Sequence, residues 1–401
     1  MLLYYNLISQ PNYVLFLDKL GQVVIEVDYL HLKGRGTGSA GRATAICTGI
    51  IQAVIDRQQN KTYTDEAGNS ITIKKLYTDD WSAEGYLRWA ISCGLLEYIN
   101  DTDTCKLTPL GIELANSGDN TSEEKEALSK ALLSYSPVIR ILSLLQNQDN
   151  QTKFELGSKL GFKGEMGFTS IPQEVYLCDY CEATTSKEKS KVRSNDEGDS
   201  DKYARGIASL CIQMGGVESS NNDITGTYRG HTYTASLQTY SITRAGERAL
   251  IKVKGNSSNP RLPRILMFEM LASNKAHGSN YLRYQRAALI KTFSTTSKTL
   301  DQLKEGLKGY DLDIDVSAIE DHIVGLQSIG IEIAIDGNKY KLMDKIESLV
   351  LPERTACVKD SVNDIIDRVR GKLKYLDHKY LALIDLAYSD VASKAKKNVE
   401  E

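Results

Sequence analysis

Three stretches of this chain gather positive charge with little acid to neutralise it. Lys33, Arg35 and Arg42 lie in a Gly/Ser/Thr segment, and Lys187, Lys189, Lys191 and Arg193 face only Glu188 across seven residues. Lys252, Lys254, Arg261 and Arg264 again enclose no acid, which collects elsewhere, as at residues 119–126. Ammonium and guanidinium groups clustered in this way raise a positive field over one Debye length, roughly 8–10 Å. Any one cluster reads most simply as a solvated loop. The three together point to a polyanion.

Groups able to break bonds are harder to find. Gly36-Thr37-Gly38-Ser39-Ala40-Gly41 matches G-x-G-x-x-G, but no parallel-strand pattern surrounds it, and Arg42-Ala43 stands where a phosphate loop needs Lys-Ser/Thr. Cys178-Asp179-Tyr180-Cys181 is a lone CxxC without a second Cys or His pair for zinc. The histidines at 31, 231, 277, 322 and 378 show no spacing of a metal site or triad. Asp199-Ser200-Asp201-Lys202 and Asp377-His378-Lys379 carry the Asp-then-Lys end of a metal-nuclease motif. Neither has the strand setting that brings two carboxylates onto one Mg²⁺. The residues predict a binder with no catalytic residue, no metal ligand and no cofactor of its own.

What positions the charged groups is a repeat. The 401 residues exceed a single core, and 41% hydrophobic with 25% charged residues is ordinary globular composition. No apolar run reaches the roughly 20 residues of a membrane span. No basic residue precedes Lys19, so a secretory start is not expected, and 7 scattered cysteines fit reduced thiols. A net charge of −3 gives no hint of a polyanion by itself. Three times, however, a helical stretch with a polar start (82–93, 200–214, 317–329) runs into glycine, a short strand, a turn and a second strand. Ser317 and Glu320 form an apparent capping box, and Asp336-Gly337-Asn338 is a good hairpin turn. The second repeat carries a longer polar insert between its strands.

Helix followed by hairpin, three times, is the pattern of winged helix-turn-helix modules, in which a helix suits the major groove and the wing grips phosphate. The predicted fold is mainly α with small β-hairpin wings, in three tandem subdomains at 1–120, 121–255 and 256–350, with a helical C-terminal segment at 351–401. Residues 119–126 and 255–260 read as connectors. Winged helices also serve as protein-interaction scaffolds or in transcription-regulator-like DNA binders, and both remain rivals.

Longer motifs narrow the choice. Asp80-Trp81-Ser82-Ala83-Glu84-Gly85-Tyr86-Leu87-Arg88-Trp89-Ala90, Thr152-Lys153-Phe154-Glu155-Leu156-Gly157, Gly167-Phe168-Thr169-Ser170 and Ser200-Asp201-Lys202-Tyr203-Ala204-Arg205 closely resemble the recognition half of FokI-type restriction endonucleases. The resemblance runs from about residue 10 to 390 and diverges at 15–35 and 218–236. It implies a type IIS enzyme of the bacterial cytoplasm. Such enzymes bind an asymmetric site like GGATG and cut to one side with a Mg²⁺-dependent nuclease domain that would begin where this sequence ends. The expected partners are double-stranded DNA and that nuclease domain, and the chain alone is expected to be a monomer that does not cut.

Residue by residue, the resemblance puts Lys202 and Arg205 at guanines and Glu197 at a cytosine amino group, pairings that suit the chemistry of these side chains. Ser194 stands at the family's adenine-reading Asn, with Asn195 beside it. Arg42, Gln58 and Trp81 fall on contact positions of the first subdomain, and Gln10 and Asn12 on the N-terminal arm. Lys33, Arg35, Lys187, Lys189, Lys191 and Arg193 are the expected backbone contacts.

Overall fold

A computed structural model describes residues 22–23, 62–64, 70–72, 89–99, 104–117, 121–256, 258–276, 278–293 and 296–358. It is mainly helical with small antiparallel sheets and divides into two compact units, Met1–Tyr135 and Ser136–Glu401.

In the first unit β1 (Gln22–Val23) is followed by a short hairpin, β2 (Thr62–Thr64) with β3 (Ser70–Thr72). Helical residues 89–92 stop at Gly94, whose φ of +69° ends the helix, and the expected hairpin follows as β4 (Leu96–Ile99) and β5 (Thr104–Leu107). Helix α1 (Pro109–Asn116) starts at Thr108, whose hydroxyl accepts from the Gly111 N–H at 3.0 Å and donates to the Gly94 carbonyl at 2.7 Å. One threonine thus caps the new helix and ties it to the end of the previous one. Helix α2 (Ser122–Ser134) packs on α1 and buries Ala127, Leu128, Ala131 and Leu132, an apolar stripe at helical spacing.

The second unit opens with α3 (Ser136–Asn147), which buries Val138, Ile141, Leu142 and Leu145. There follow β6 (Gln151–Thr152), α4 (Lys153–Gly157), α5 (Gln173–Glu182), α6 (Ser186–Asn195) and α7 (Asp199–Gln213). The polar insert is itself strand: β7 (Val217–Tyr228) and β8 (His231–Ile242) pair along twelve residues each. Arg229 and Gly230 close the turn with φ of +50° and +82°, the two-residue geometry that matches strand twist. Thr225 bonds across to Thr234 at 2.9 Å and Ser220 to Thr239 at 3.1 Å, so hydroxyl pairs hold the ribbon where apolar residues are scarce. Helix α8 (Arg244–Lys254) repeats the threonine tie: Thr243 donates to the Gly215 carbonyl at 2.7 Å and accepts from the Gly246 N–H at 3.1 Å.

Next come β9 (Arg264–Ile265), α9 (Ser279–Thr292), β10 (Lys298–Thr299), α10 (Leu300–Lys308), α11 (Val316–Ser328), β11 (Ile333–Asp336), β12 (Lys339–Leu342) and β13 (Ile346–Glu347). The Gly337-Asn338 turn joins β11 to β12 as expected. The capping box at Ser317 does not form. Asp315 takes the N-cap position, so Ser317 lies inside the first turn. Three sheets repeat one order, β1-β5-β4, β6-β8-β7 and β10-β12-β11, in which a short early strand pairs with the second strand of each hairpin.

Phe162, from the loop after α4, is 2% exposed and belongs to the core of Leu289, Leu303, Ile323 and Leu326. The Arg286 guanidinium lies 3.7 Å over its ring and pairs with Glu165, and Gly161 N–H donates to the Ser328 carbonyl at 3.2 Å. Ile365, Ile366 and Val369 of the expected C-terminal helix lie outside the described residues. Among the described residues no helix is long and apolar enough to cross a membrane.

Candidate functional site

The site is built on the start of α7. Asp201 is fully buried there; its carboxylate accepts from Ser170 Oγ at 2.5 Å, Ile171 N–H at 3.0 Å and Gly198 N–H at 2.9 Å. Burial pushes this carboxyl up, against the lowering effect of those hydrogen bonds. Gly157 permits the approach, because a Cβ there would lie 2.2 Å from Asp201 Oδ1. Thr169 adds its hydroxyl to Asp199 N–H at 3.1 Å and its carbonyl to Ser200 N–H at 2.8 Å. The stretches 167–170 and 200–205 are therefore one structure, and the apparent nuclease motif at 199–202 is a helix cap.

From this anchored end Lys202 and Arg205 project, one helical turn apart. Lys202 Nζ lies 3.8 Å from Asp199, which Lys275 holds at 2.6 Å. Arg205 reaches back to Glu197, Nε to Oε1 at 2.9 Å and Nη2 to Oε2 at 3.1 Å, in a bidentate pair. Lys153, the first residue of α4, donates to the same Oε1 at 2.9 Å. The Glu197 side chain is 5% exposed. Burial raises its pKa, but hydrogen bonds from Arg205 and Lys153 and their charges outweigh burial and hold the carboxyl below its ordinary value. The same hydrogen bond raises Arg205 further. Lys153 Nζ also sits 4.9 Å from the Phe154 ring centre and 5.7 Å from that of Tyr176.

Helix α6 presents the basic run. Thr185 and Glu188 close a capping box at its start. Lys189 and Arg193, four residues apart, lie 5.4 and 5.6 Å over the Tyr180 ring, which stacks on Tyr176. Lys187 and Lys191 occupy the other side of the helix. Asn195 ends α6 and lines a cleft with Lys191, Asp179, Glu182, Glu188 and Asp196; burial and its acidic neighbours push Asp179 up. Ser194 falls in the last turn of α6.

The structure thus brings Glu197, Lys202 and Arg205 together beside α6. Gln10, Asn12, Lys33, Arg35, Arg42, Gln58 and Trp81 lie outside the described residues. Among the described residues no group of three or more His, Cys, Asp or Glu could hold a metal. Cys178 is buried and Cys181 exposed on α5. Sequence reasoning misses two residues: Asp201, hidden inside a decoy motif, and Lys153. The T-x-x-E box at Thr152–Glu155 marks a helix start and could have placed Lys153 in a first turn.

Comparison with known proteins agrees along the chain. Family models described as FokI recognition domain subdomain 1, FokI recognition domain subdomain 2 and FokI D3 domain match residues 6–117, 124–258 and 271–338. The type II restriction enzyme FokI of Planomicrobium okeanokoites is 37% identical over 358 residues, 88% of this chain and 59% of that protein. StsI of Streptococcus sanguinis is 31% identical over 379 residues, 89% and 62% respectively. The chain thus spans about three fifths of these relatives' length. The solved structure of FokI matches with a TM-score of 0.67 at 35% identity, covering 90% of this chain and 60% of that one. The structure of FokI bound to DNA matches at 0.69 and 32% identity, covering 96% and 68%. The chain belongs to the FokI recognition-domain family and carries its three recognition subdomains in order.

Proposed function

We propose that this chain is a sequence-specific double-stranded DNA-binding module, the recognition part of a type IIS restriction enzyme. The observation that carries the reading is the anchored start of α7, which leaves Lys202 and Arg205 half exposed one helical turn apart, with the basic helix α6 immediately before it in the chain. The three helix-and-hairpin groups act as winged helix-turn-helix subdomains at 1–120, 121–255 and 256–350, with 351–401 leading toward a nuclease domain. Lys202 and Arg205 read guanines and Glu197 a cytosine, with Ser194 or Asn195 near the adenine. Gln10, Asn12, Arg42, Gln58 and Trp81 read the remainder, and Lys33, Arg35, Lys187, Lys189, Lys191 and Arg193 hold phosphates. The site resembles GGATG. The three groups are not identical, so a monomer suffices for an asymmetric site. Residues 1–401 contribute no catalytic or metal-binding residue in this reading; Mg²⁺ serves the nuclease domain, and the setting is the bacterial cytoplasm.

The test is a salt series of binding to site-containing and scrambled duplexes, with Arg205→Ala and Arg193→Ala. Arg205→Ala should cost about 1–3 kcal/mol on the cognate duplex and relax discrimination at one guanine. Arg193→Ala should weaken all duplexes alike and flatten the salt slope by about one unit. Equal affinity for site and scrambled duplexes would refute the sequence-specific reading, and no binding to either would leave a protein-interaction scaffold as the better one.

A further inference from the structure

We propose that Lys153 is a positioning residue for base reading, acting through Glu197 on Arg205. The inference rests on the reading of Arg205 as a guanine contact. Of the five N–H groups of that guanidinium, Glu197 takes the one on Nε and one on Nη2. The three left over include the Nη1/Nη2 edge, the pair that fits guanine O6 and N7. An arginine fixed before it meets DNA loses less rotamer freedom on binding, which favours the contact and narrows its direction.

A carboxylate alone would do this poorly. Paired only with Arg205 it would cancel the charge that guanine must see, and a carboxylate 5% exposed is costly without full hydrogen bonding. Lys153 answers both points. Its ammonium bonds Oε1 at 2.9 Å, so two cations surround one anion and the cluster stays net positive. It also ties Glu197, in the turn before α7, to α4, which packs against α7. The Lys153 side chain is 18% exposed and wedged between Glu197 and the Phe154 and Tyr176 rings, which leaves little of it for a phosphate.

The experiment compares Lys153→Met, Lys153→Arg, Arg205→Ala and the Lys153→Met/Arg205→Ala pair in the full chain. Affinities are read by fluorescence anisotropy on the cognate duplex and on every single-base substitution, at two salt concentrations. Lys153→Met should lower discrimination at the Arg205 guanine roughly tenfold, with a loss also at the cytosine assigned to Glu197 and the remaining positions and the salt slope unchanged, and Lys153→Arg should restore most of it. In the Arg205→Ala background Lys153→Met should add nothing at that guanine, since its effect there passes through the Arg205 side chain. Three results would overturn the proposal: unchanged discrimination, additive losses at that guanine in the double variant, or a uniform loss with a shallower salt slope, which marks a phosphate contact. If Arg205→Ala itself leaves that guanine's discrimination intact, the base reading has failed and the positioning role falls with it. Should circular dichroism show Lys153→Met unfolded, Lys153→Gln replaces it with the same expectations, because glutamine keeps a donor and removes the charge.

Discussion

Replacing Asp201 by alanine should loosen the start of α7 without touching any exposed side chain. The carboxylate serves Ile171 N–H, Gly198 N–H and the Ser170 hydroxyl. Alanine orphans both N–H groups, while Ser170 can turn to the Phe154 carbonyl 3.4 Å away. An unsatisfied buried donor costs about 1–3 kcal/mol, in full for Gly198 N–H and in part for the half-buried Ile171 N–H. Relief of a carboxyl that burial disfavours offsets part of this, so we expect about 2–4 kcal/mol. Asparagine in place of this aspartate would retain one oxygen for the two N–H groups and turn its amide to Ser170; Asp201→Asn should cost about 1 kcal/mol or less at neutral pH. The sign with pH follows from the raised carboxyl: the native state holds the proton more tightly than the unfolded chain, so wild type gains on Asp201→Asn as pH falls into the acid range. Urea unfolding followed by circular dichroism across pH measures all three. An Asp201→Asn variant as unstable as Asp201→Ala, or an alanine variant as stable as wild type, would refute the hydrogen-bond accounting.

Burial, with Arg286 adding to it, lowers His322 from 6.5 to about 4, so the folded state keeps it neutral while the unfolded chain protonates. Its contribution is complete above pH 6.5 and lost toward pH 4, a fall of about 3 kcal/mol that should be absent in His322→Gln when the two urea titrations are compared. Gly330→Ala should lower the unfolding free energy measured in urea by roughly 2–4 kcal/mol, since φ is +91° and a Cβ would lie 2.0 Å from the Ser136 carbonyl; Gly337→Ala, at +58° with open space around it, should cost only about 1 kcal/mol. Exposed Cys181 should take maleimide in the native state well before buried Cys178, Cys211 and Cys93, the last pushed to about 12 by burial; mass mapping that finds Cys93 labelled as fast would contradict its placement.

The repeat was legible because glycine punctuates it: Gly94, Gly215 and Gly330 all have positive φ where a helix gives way to an extended segment. The third hairpin was legible from its turn. The length of β7 and β8 was not, because Ser, Thr and Asn alternate there without the apolar periodicity that announces a strand. The charged site came from family resemblance at Lys202, Arg205 and Glu197. Its support did not: Lys153 and Glu197 are 44 positions apart, and only the folded chain brings them together. Asp201 misleads for a simpler reason, since an aspartate beside a lysine looks the same whether it holds a metal or caps a helix.

Anyone building chimaeras from this protein would be drawn to cut near residue 255, where Gly, Asn, Ser and Pro cluster. The chain there is folded back tightly: Asn256 N–H donates to the Asn259 carbonyl at 2.8 Å and Leu262 N–H to that of Val253 at 3.2 Å. A graft of residues 136–254 would carry Phe162 into water and leave a ring-sized void behind, with Arg286 stripped of Glu165. Lys275 would also lose Asp199, beside the reading helix. The transplantable cassette is therefore the double one, and exchanging specificity by point substitution on α6 and α7 should succeed where exchanging the smaller block would yield insoluble protein.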